Sequence, residues 1–334
     1  MLFREDEVAR AEVKAVRTNA AWYRWTHDIV ELKGLDAERF LDHMLVNRMA
    51  RLAVGHGRYT TMLDEEGGII DDLVAFRKTE GTWWLSTLYG PQMLRWFDSH
   101  KEGYDVSYVD ITGDWDMYAI QGPNSPKIMK TLVKDDVDNL KRFQMVETKV
   151  GDIDVAVDRG GFTGEMGFEL YCRRTDSPAI EKAIAAAADK QDAPRLTVLE
   201  VYVRSIPMEK GIGLRQDYHN LTPYEAGLGW SVHDDKDFVG KEALERRHSE
   251  GEKYAFVGFE FEPDRESYED IAQNEIVYKR GIPVGRVRQM IYGYTVEKNI
   301  GIGFVDAEKC PIGTKVTLGC SHHAPAVVVE PRWV

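Results

Sequence analysis

Cysteine is scarce in this chain: three residues among 334, at Cys172, Cys310 and Cys320. Few, odd in number and scattered, they offer neither a disulfide framework nor the paired spacing of a zinc site. A reducing, cytoplasmic location is therefore expected, and no metal centre is. No stretch approaches the roughly 18 apolar residues that a membrane-crossing helix needs, so no membrane partner is expected. The opening Met-Leu-Phe-Arg-Glu-Asp-Glu is too acidic for a signal peptide. Basic charge is in deficit as well, with 43 Lys and Arg against 56 Asp and Glu and a net charge of −13. Such a surface repels phosphate backbones, so nucleic acid is not an expected partner. What remains is an ordinary globular composition, too long for a single core and expected to divide into two or three domains.

Residues 5–22 read as a helix, since Val8, Ala11, Val13, Ala15 and Val16 recur among charged neighbours. Residues 29–34 alternate like a strand, and a helix follows Gly34 with Asp36 as its N-cap. Strands at 59–63 and 72–77 flank the Gly67-Gly68 turn, 82–88 is a third strand, and 91–100 is a helix. The cadence then repeats: strand 115–121, helix 125–133, strands near 153–157 and 168–172, helix 178–189. Two related sheet-and-helix lobes of α+β class, facing each other across a cleft, would occupy residues 1–250. Beyond 250 the texture changes to short alternating runs at 255–261, 274–278, 283–288 and 315–319, broken by Gly and Pro. These suggest a small β-barrel domain over 251–334, with the acidic stretch 262–270 as a solvated loop.

The densest signal is Gly161-Phe-Thr-Gly-Glu-Met-Gly-Phe-Glu-Leu-Tyr171. Its glycines permit a tight backbone path, Phe162 and Phe168 offer flat apolar faces, and Glu165 and Glu169 offer carboxylates. A carboxylate accepts two parallel N–H bonds, the pattern shown by a 2-amino-4-oxo-pteridine or guanine edge. On spacing alone, a glycine-rich hairpin with solvated glutamates competes with that reading. The pair Asp71-Asp72 enters a strand whose side chains alternate, so one should face a cleft and the other turn away. Trp22, Tyr23 and Trp25 with His27 form an aromatic cluster. It suits a small donor, neutral or cationic, or equally a hydrophobic core.

These blocks have company. Gly67-Gly-Ile-Ile-Asp-Asp-Leu-Val74 lies upstream; Thr222-Pro-Tyr-Glu-Ala-Gly-Leu-Gly-Trp230 and Asp237-Phe-Val-Gly-Lys-Glu-Ala-Leu244 lie downstream. In order and separation the set resembles the glycine-cleavage T-protein (aminomethyltransferase) family. That family includes folate-dependent demethylases such as dimethylsulfoniopropionate demethylase and aromatic O-demethylases. Glu12-Val-Lys-Ala-Val-Arg17, Ile120-Gln-Gly-Pro-Asn124 and Lys298-Asn-Ile-Gly-Ile-Gly-Phe-Val305 match too, so the resemblance covers nearly the whole chain.

The resemblance implies a three-lobed cloverleaf with a C-terminal barrel, tetrahydrofolate in a central channel and one-carbon transfer as the activity. It places the functional carboxylate at Asp72 and a pterin-binding glutamate at Glu169. Tyr59 matches a tyrosine lining the folate site, and Phe162 stands where many members carry tyrosine. Arg204 is a candidate for the carboxylates of the folate tail. Asp217 falls where members carry an acidic residue in the loop Gly211-Ile-Gly-Leu-Arg-Gln-Asp217, and Trp230 is read as core packing.

The departures bear on the donor. Where T-proteins carry Asp-Val-Ser-His-Met, this chain reads Trp25-Thr-His-Asp-Ile29; their Ala-Arg-Asp is replaced by Leu199-Glu-Val201; and an N-terminal Phe-x-Gly-Trp element is missing. The leading expectation is an enzyme moving a methyl (or methylene) group from a small O-, N- or S-methylated donor to N5 of tetrahydrofolate. Trp22, Tyr23, Trp25 and His27 would form the donor pocket. One alternative is a glycine-cleavage aminomethyltransferase working with an aminomethyl-lipoyl carrier protein; another is a non-catalytic folate-binding protein.

Overall fold

The Asp6 carboxylate accepts from the Ala9 N–H at 2.8 Å and starts helix α1 (Glu7–Thr18), which buries Ala9, Val13 and Val16. The computed structural model describes residues 4–261, 275–319 and 324–334. The acidic stretch 262–270 and Cys320 lie outside the described residues. The helix expected to reach residue 22 stops at Thr18. Asn19 binds the Gln191 carbonyl at 2.9 Å, and the chain turns into strand β1 (Ala21–Arg24), where tertiary pairing overrides helix periodicity.

The first lobe comprises β2 (Asp28–Lys33), α2 (Ala37–Met44), β3 (Gly57–Leu63), β4 (Ile69–Arg77), β5 (Thr82–Thr87), α3 (Gly90–His100) and β6 (Ser107–Asp110). Its antiparallel sheet runs β3-β4-β5-β2-β6. Phe40, Leu41, Met93 and Phe97 of the helices pack on Val30, Leu32, Trp83 and Leu85 of the sheet. Asp36 holds the N-cap position without capping α2; its carboxylate accepts from the Asp105 N–H at 2.8 Å.

The second lobe holds β7 (Trp115–Gln121), α4 (Ser125–Leu132), β8 (Met145–Val150), β9 (Ile153–Asp158), β10 (Gly167–Arg173) and α5 (Ser177–Asp189). Its sheet order is β1-β7-β10-β9-β8. The helix-free faces of the two sheets meet through Ile29, Phe76 and Trp84 on one side and Met117, Ala156 and Tyr171 on the other. Trp84 and Tyr171 meet edge to face with centroids 6.1 Å apart.

A π-helical turn (Val201–Ser205) leads through α6 (Ile206–Glu209) and α7 (Arg215–Tyr218) to α8 (Lys241–Ser249). The closed barrel follows: β11 (Tyr254–Phe261), β12 (Ile276–Lys279), β13 (Ile282–Gly293), β14 (Lys298–Asp306), β15 (Lys315–Leu318) and β16 (Ala324–Val329). Its strand order is β11-β14-β13-β12-β15-β16. Arg17 ties the parts together, pairing with Glu165 at 2.7 Å and with fully buried Glu209 at 2.8 Å. Glu209 in turn accepts from Thr295 N–H at 2.8 Å, on the barrel.

Candidate functional site

Where the two inner sheet faces part, they leave a cavity of about 440 Å³. Residues of β3–β5 form one wall; the ends of β9 and β10 with the Gly160-Gly161-Phe162 loop form the other; α7 closes one side. Gly161 has φ +138° and its Cα is packed against the Gln121 amide, so a side chain there would overlap that amide. Gln121 also accepts from Thr163 Oγ1 at 2.6 Å and donates to the Gly160 carbonyl at 3.1 Å, fixing the loop's path.

Asp72 borders the cavity from β4, and its Oδ2 accepts from the Tyr59 hydroxyl at 3.0 Å. Asp71 borders the same cavity, buried, with Oδ2 accepting from Thr87 Oγ1 at 2.7 Å. The expectation that Asp71 turns away is therefore corrected. The β3–β4 register shifts between Met62 and Leu63, leaving Ile70 as an extra residue just before the pair. Such a bulge bends the strand out of simple alternation. Burial, with the neighbouring Asp72 charge adding, raises the Asp71 carboxyl to about 7. Burial raises Asp72 to about 6, opposed by the Tyr59 hydroxyl and the Arg215 charge. Both groups thus titrate near neutrality, where a proton can be held or released.

Glu169 projects from β10 into the cavity and accepts from the Tyr171 hydroxyl at 2.9 Å. Trp25 and Phe162 meet edge to face at 5.7 Å, and Trp25 meets the His27 ring at 4.9 Å. His27 Nδ1 lies 2.9 Å from Ser86 Oγ, and burial lowers its pKa against the opposing Glu169 and Asp28 charges. Tyr59, Asp72, Phe162, Glu169, Trp25 and His27 are therefore brought together.

Trp22, Tyr23 and Arg204 are not. Trp22 and Tyr23 point to opposite faces of β1. Trp22 enters the second lobe's helix-side core beside Tyr118, and Tyr23 stacks on Tyr202 at 4.1 Å in the inter-sheet core. The donor-pocket expectation for these two is corrected to packing. Arg204 sits on the π-helical turn, outside the cavity lining, where its charge acts on Asp217. Asp217 also faces away: buried, it accepts from the Leu214 N–H at 2.7 Å and from the Gln289 amide.

Among the lining residues that sequence reasoning did not place at the site, Arg215, Asp158 and Trp230 bear most on its chemistry. Arg215, two positions before Asp217, donates to the Ile70 carbonyl at 2.5 Å and lies 4.2 Å over the Tyr89 ring. Asp158 pairs opposite Glu169 across β9 and β10. Trp230, expected in a core, is 67 % exposed and stacks on Tyr59 with centroids 5.9 Å apart. A glutamate on a strand beside a glycine loop signals a search for its cross-strand partner, which could have found Asp158. Among the described residues, no cluster of three or more His, Cys, Asp or Glu is placed to hold a metal. None of the described helices is long and apolar enough to cross a membrane.

Comparison with known proteins gives this architecture a family. The model of the GCVT N-terminal domain matches residues 3–236, and that of the glycine cleavage T-protein C-terminal barrel domain matches residues 255–334. The chain belongs to the glycine cleavage T-protein family. It is 32% identical over 319 residues to an aminomethyltransferase of Bacillus velezensis, covering 92% of this chain and 84% of the relative. It is likewise 32% identical over 319 residues to the aminomethyltransferase of Bacillus subtilis, covering 92% and 85%. The crystal structure of glycine cleavage system aminomethyltransferase T from Bartonella henselae superposes with a TM-score of 0.83. That match has 22% identity and covers 96% of this chain and 88% of that one, a likeness of fold.

As a T-protein family member the chain is a one-carbon transferase with tetrahydrofolate as the acceptor. The cavity's chemistry fits that group. Aromatic rings stand beside carboxyl groups able to accept N–H donors, and buried His27 Nε2 and the Asp158 carboxyl make no hydrogen bond of good geometry.

Proposed function

We propose that this chain transfers the carbon of an aminomethyl-lipoyl carrier protein to tetrahydrofolate in the inter-sheet cavity, breaking its C–S and C–N bonds and releasing the dihydrolipoyl thiol and ammonia. The observation that carries the proposal is the buried Asp72–Tyr59 pair, a carboxyl poised near neutrality on the cavity wall. An aminomethyl donor is cationic while it reacts, and a desolvated carboxylate opposite it stabilises that charge more than water would. The relatives' common name, aminomethyltransferase, supports this donor over others.

In this proposal Glu169 accepts N–H groups of the pterin edge, and Trp25 and Phe162 flank the ring. Tetrahydrofolate, when bound, supplies the nucleophilic ring nitrogen that takes the carbon. Asp72 holds or passes the proton that accompanies release of the amine, with the Tyr59 hydroxyl orienting its Oδ2. Asp71, fixed to Thr87, keeps the two carboxyls from both being charged, since like charges in a desolvated site disfavour one another.

A second reading, a small O-, N- or S-methylated donor, is favoured by the Trp25–His27 contact, because aromatic faces attract methylated cations. One assay separates them. With tetrahydrofolate in excess, an aminomethyl-loaded lipoyl carrier should yield methylenetetrahydrofolate and ammonia. A panel of betaines, sulfonium compounds and methoxyaromatics should yield no methyltetrahydrofolate. The reverse pattern would replace the proposal with the second reading.

A further inference from the structure

Asp158 is fully buried at the end of β9 and borders the cavity; neither carboxyl oxygen makes a hydrogen bond of good geometry, and its nearest polar neighbours are the Glu169 carboxyl and the Tyr171 hydroxyl. It pairs opposite Glu169, so the two side chains lie on the same face of the sheet. Glu169 is already engaged, accepting from Tyr171. The bare backbone of Gly160 lies against Asp158 Oδ1, and any side chain at that position would overlap the oxygen. A buried polar group left without a well-made hydrogen bond is costly, and a ligand that supplies the missing partner offsets that cost.

We propose that Asp158 is a specificity-determining residue of the cavity, donating a hydrogen bond from its carboxylic acid to a ring oxo group. The heterocycle it reads presents that oxo group beside the N–H groups that Glu169 accepts. This inference rests on the cavity being the tetrahydrofolate site. Two carboxyls this close in a desolvated pocket cannot both ionise, so one retains its proton and becomes a donor. Burial, then the Glu169 charge, raises the Asp158 carboxyl well above the usual carboxylate range. The other groups facing it are the Tyr171 hydroxyl from β10 and the Lys78 ammonium that follows β4; Arg142 borders the cavity nearby. An acceptor–acceptor–donor wall of this kind complements a 2-amino-4-oxo ring edge and mismatches one whose 4-oxo group is replaced by an amine.

The test is the coupling between Asp158 and the ring's 4-substituent. Dissociation constants are measured calorimetrically at pH 7 for tetrahydrofolate and for its 2,4-diamino counterpart, with the wild-type chain and with Asp158→Ala. The ratio of the two affinities should shift about tenfold against tetrahydrofolate in Asp158→Ala. A purely structural role would weaken both ligands equally and leave the ratio unchanged, which would overturn the inference. Should Asp158→Ala fold poorly, Asp158→Asn serves, because its amide N–H still donates. It should bind tetrahydrofolate within about threefold of wild type, and a tenfold loss would also overturn the inference. Failure of the wild-type chain to bind tetrahydrofolate at all would instead remove the site reading on which the inference stands.

Discussion

Tyr59 and Asp72 sit on adjoining strands, and the phenol donates to Asp72 Oδ2 at 3.0 Å while its ring stacks on Trp230 at the cavity rim. One hydroxyl thus orients the carboxyl and restrains its rise in pKa.

That restraint gives a pH signature. Asp72, raised to about 6, and Asp71 and Asp217, each raised to about 7, all favour protonation in the folded state. Their contribution to stability is full below the usual carboxylate pKa and is lost as pH climbs through these values. Stability should therefore increase between pH 8 and pH 5, and Asp217→Asn should flatten part of that slope. Tyr59→Phe removes a bond to the charged form and should cost about 1.5–3 kcal/mol at pH 8 but less at pH 5. Thermal melts at the two pH values check this; equal losses would show that the hydroxyl does not support the ionised carboxylate.

Arg17 should matter to stability far from the cavity. Its guanidinium bridges Glu165, Glu209 and the Ile206 carbonyl, the last at 2.9 Å, so that α1, the glycine loop and α6 converge on one side chain. Arg17→Ala leaves Glu209 buried without its countercharge and should cost about 3–5 kcal/mol in urea unfolding. Arg17→Lys should recover part of that loss, because a point charge cannot reproduce the planar fork. A cost below about 1 kcal/mol would mean the network is not coupled to global folding.

Gly161→Ala should impair the site. It forces a non-glycine residue into φ +138° and drives a methyl into the Gln121 amide. The backbone strain alone is worth about 1–3 kcal/mol. Gly113→Ala is the control, since it has open space and an ordinary φ. Tetrahydrofolate affinity, followed by tryptophan fluorescence, should fall in the first variant and hold in the second. Equal affinities would show that the loop's path does not shape the site.

Much of this architecture was legible in the sequence. The helices and strands with clear periodicity stand where the pattern puts them, as with the strands at 59–63 and 115–121, which fall in β3 (Gly57–Leu63) and β7 (Trp115–Gln121). The short edge strands were missed: β6 is largely exposed, and β1 is continuous with the apolar pattern of α1. Glu169, Asp72 and Tyr59, singled out through the ordered family motifs, all line the cavity. Asp158 and Arg215 reach the cavity through cross-strand pairing and a short helix; the first could be sought as the strand partner of Glu169, while no spacing in the chain marks the second. Trp22 and Tyr23 misled because aromatic density reads the same in a pocket and in a core.

The central claim, that Asp72 handles charge and a proton during transfer to tetrahydrofolate, is tested most directly by Asp72→Asn. The measurement pairs the turnover rate with an aminomethyl-loaded carrier and the dissociation constant for tetrahydrofolate, both at pH 7. The amide keeps the shape, so affinity should stay within about threefold while kcat and kcat/KM fall together by roughly 10²–10⁴. A variant that retains full turnover, or that loses affinity and turnover in equal measure, would contradict the account.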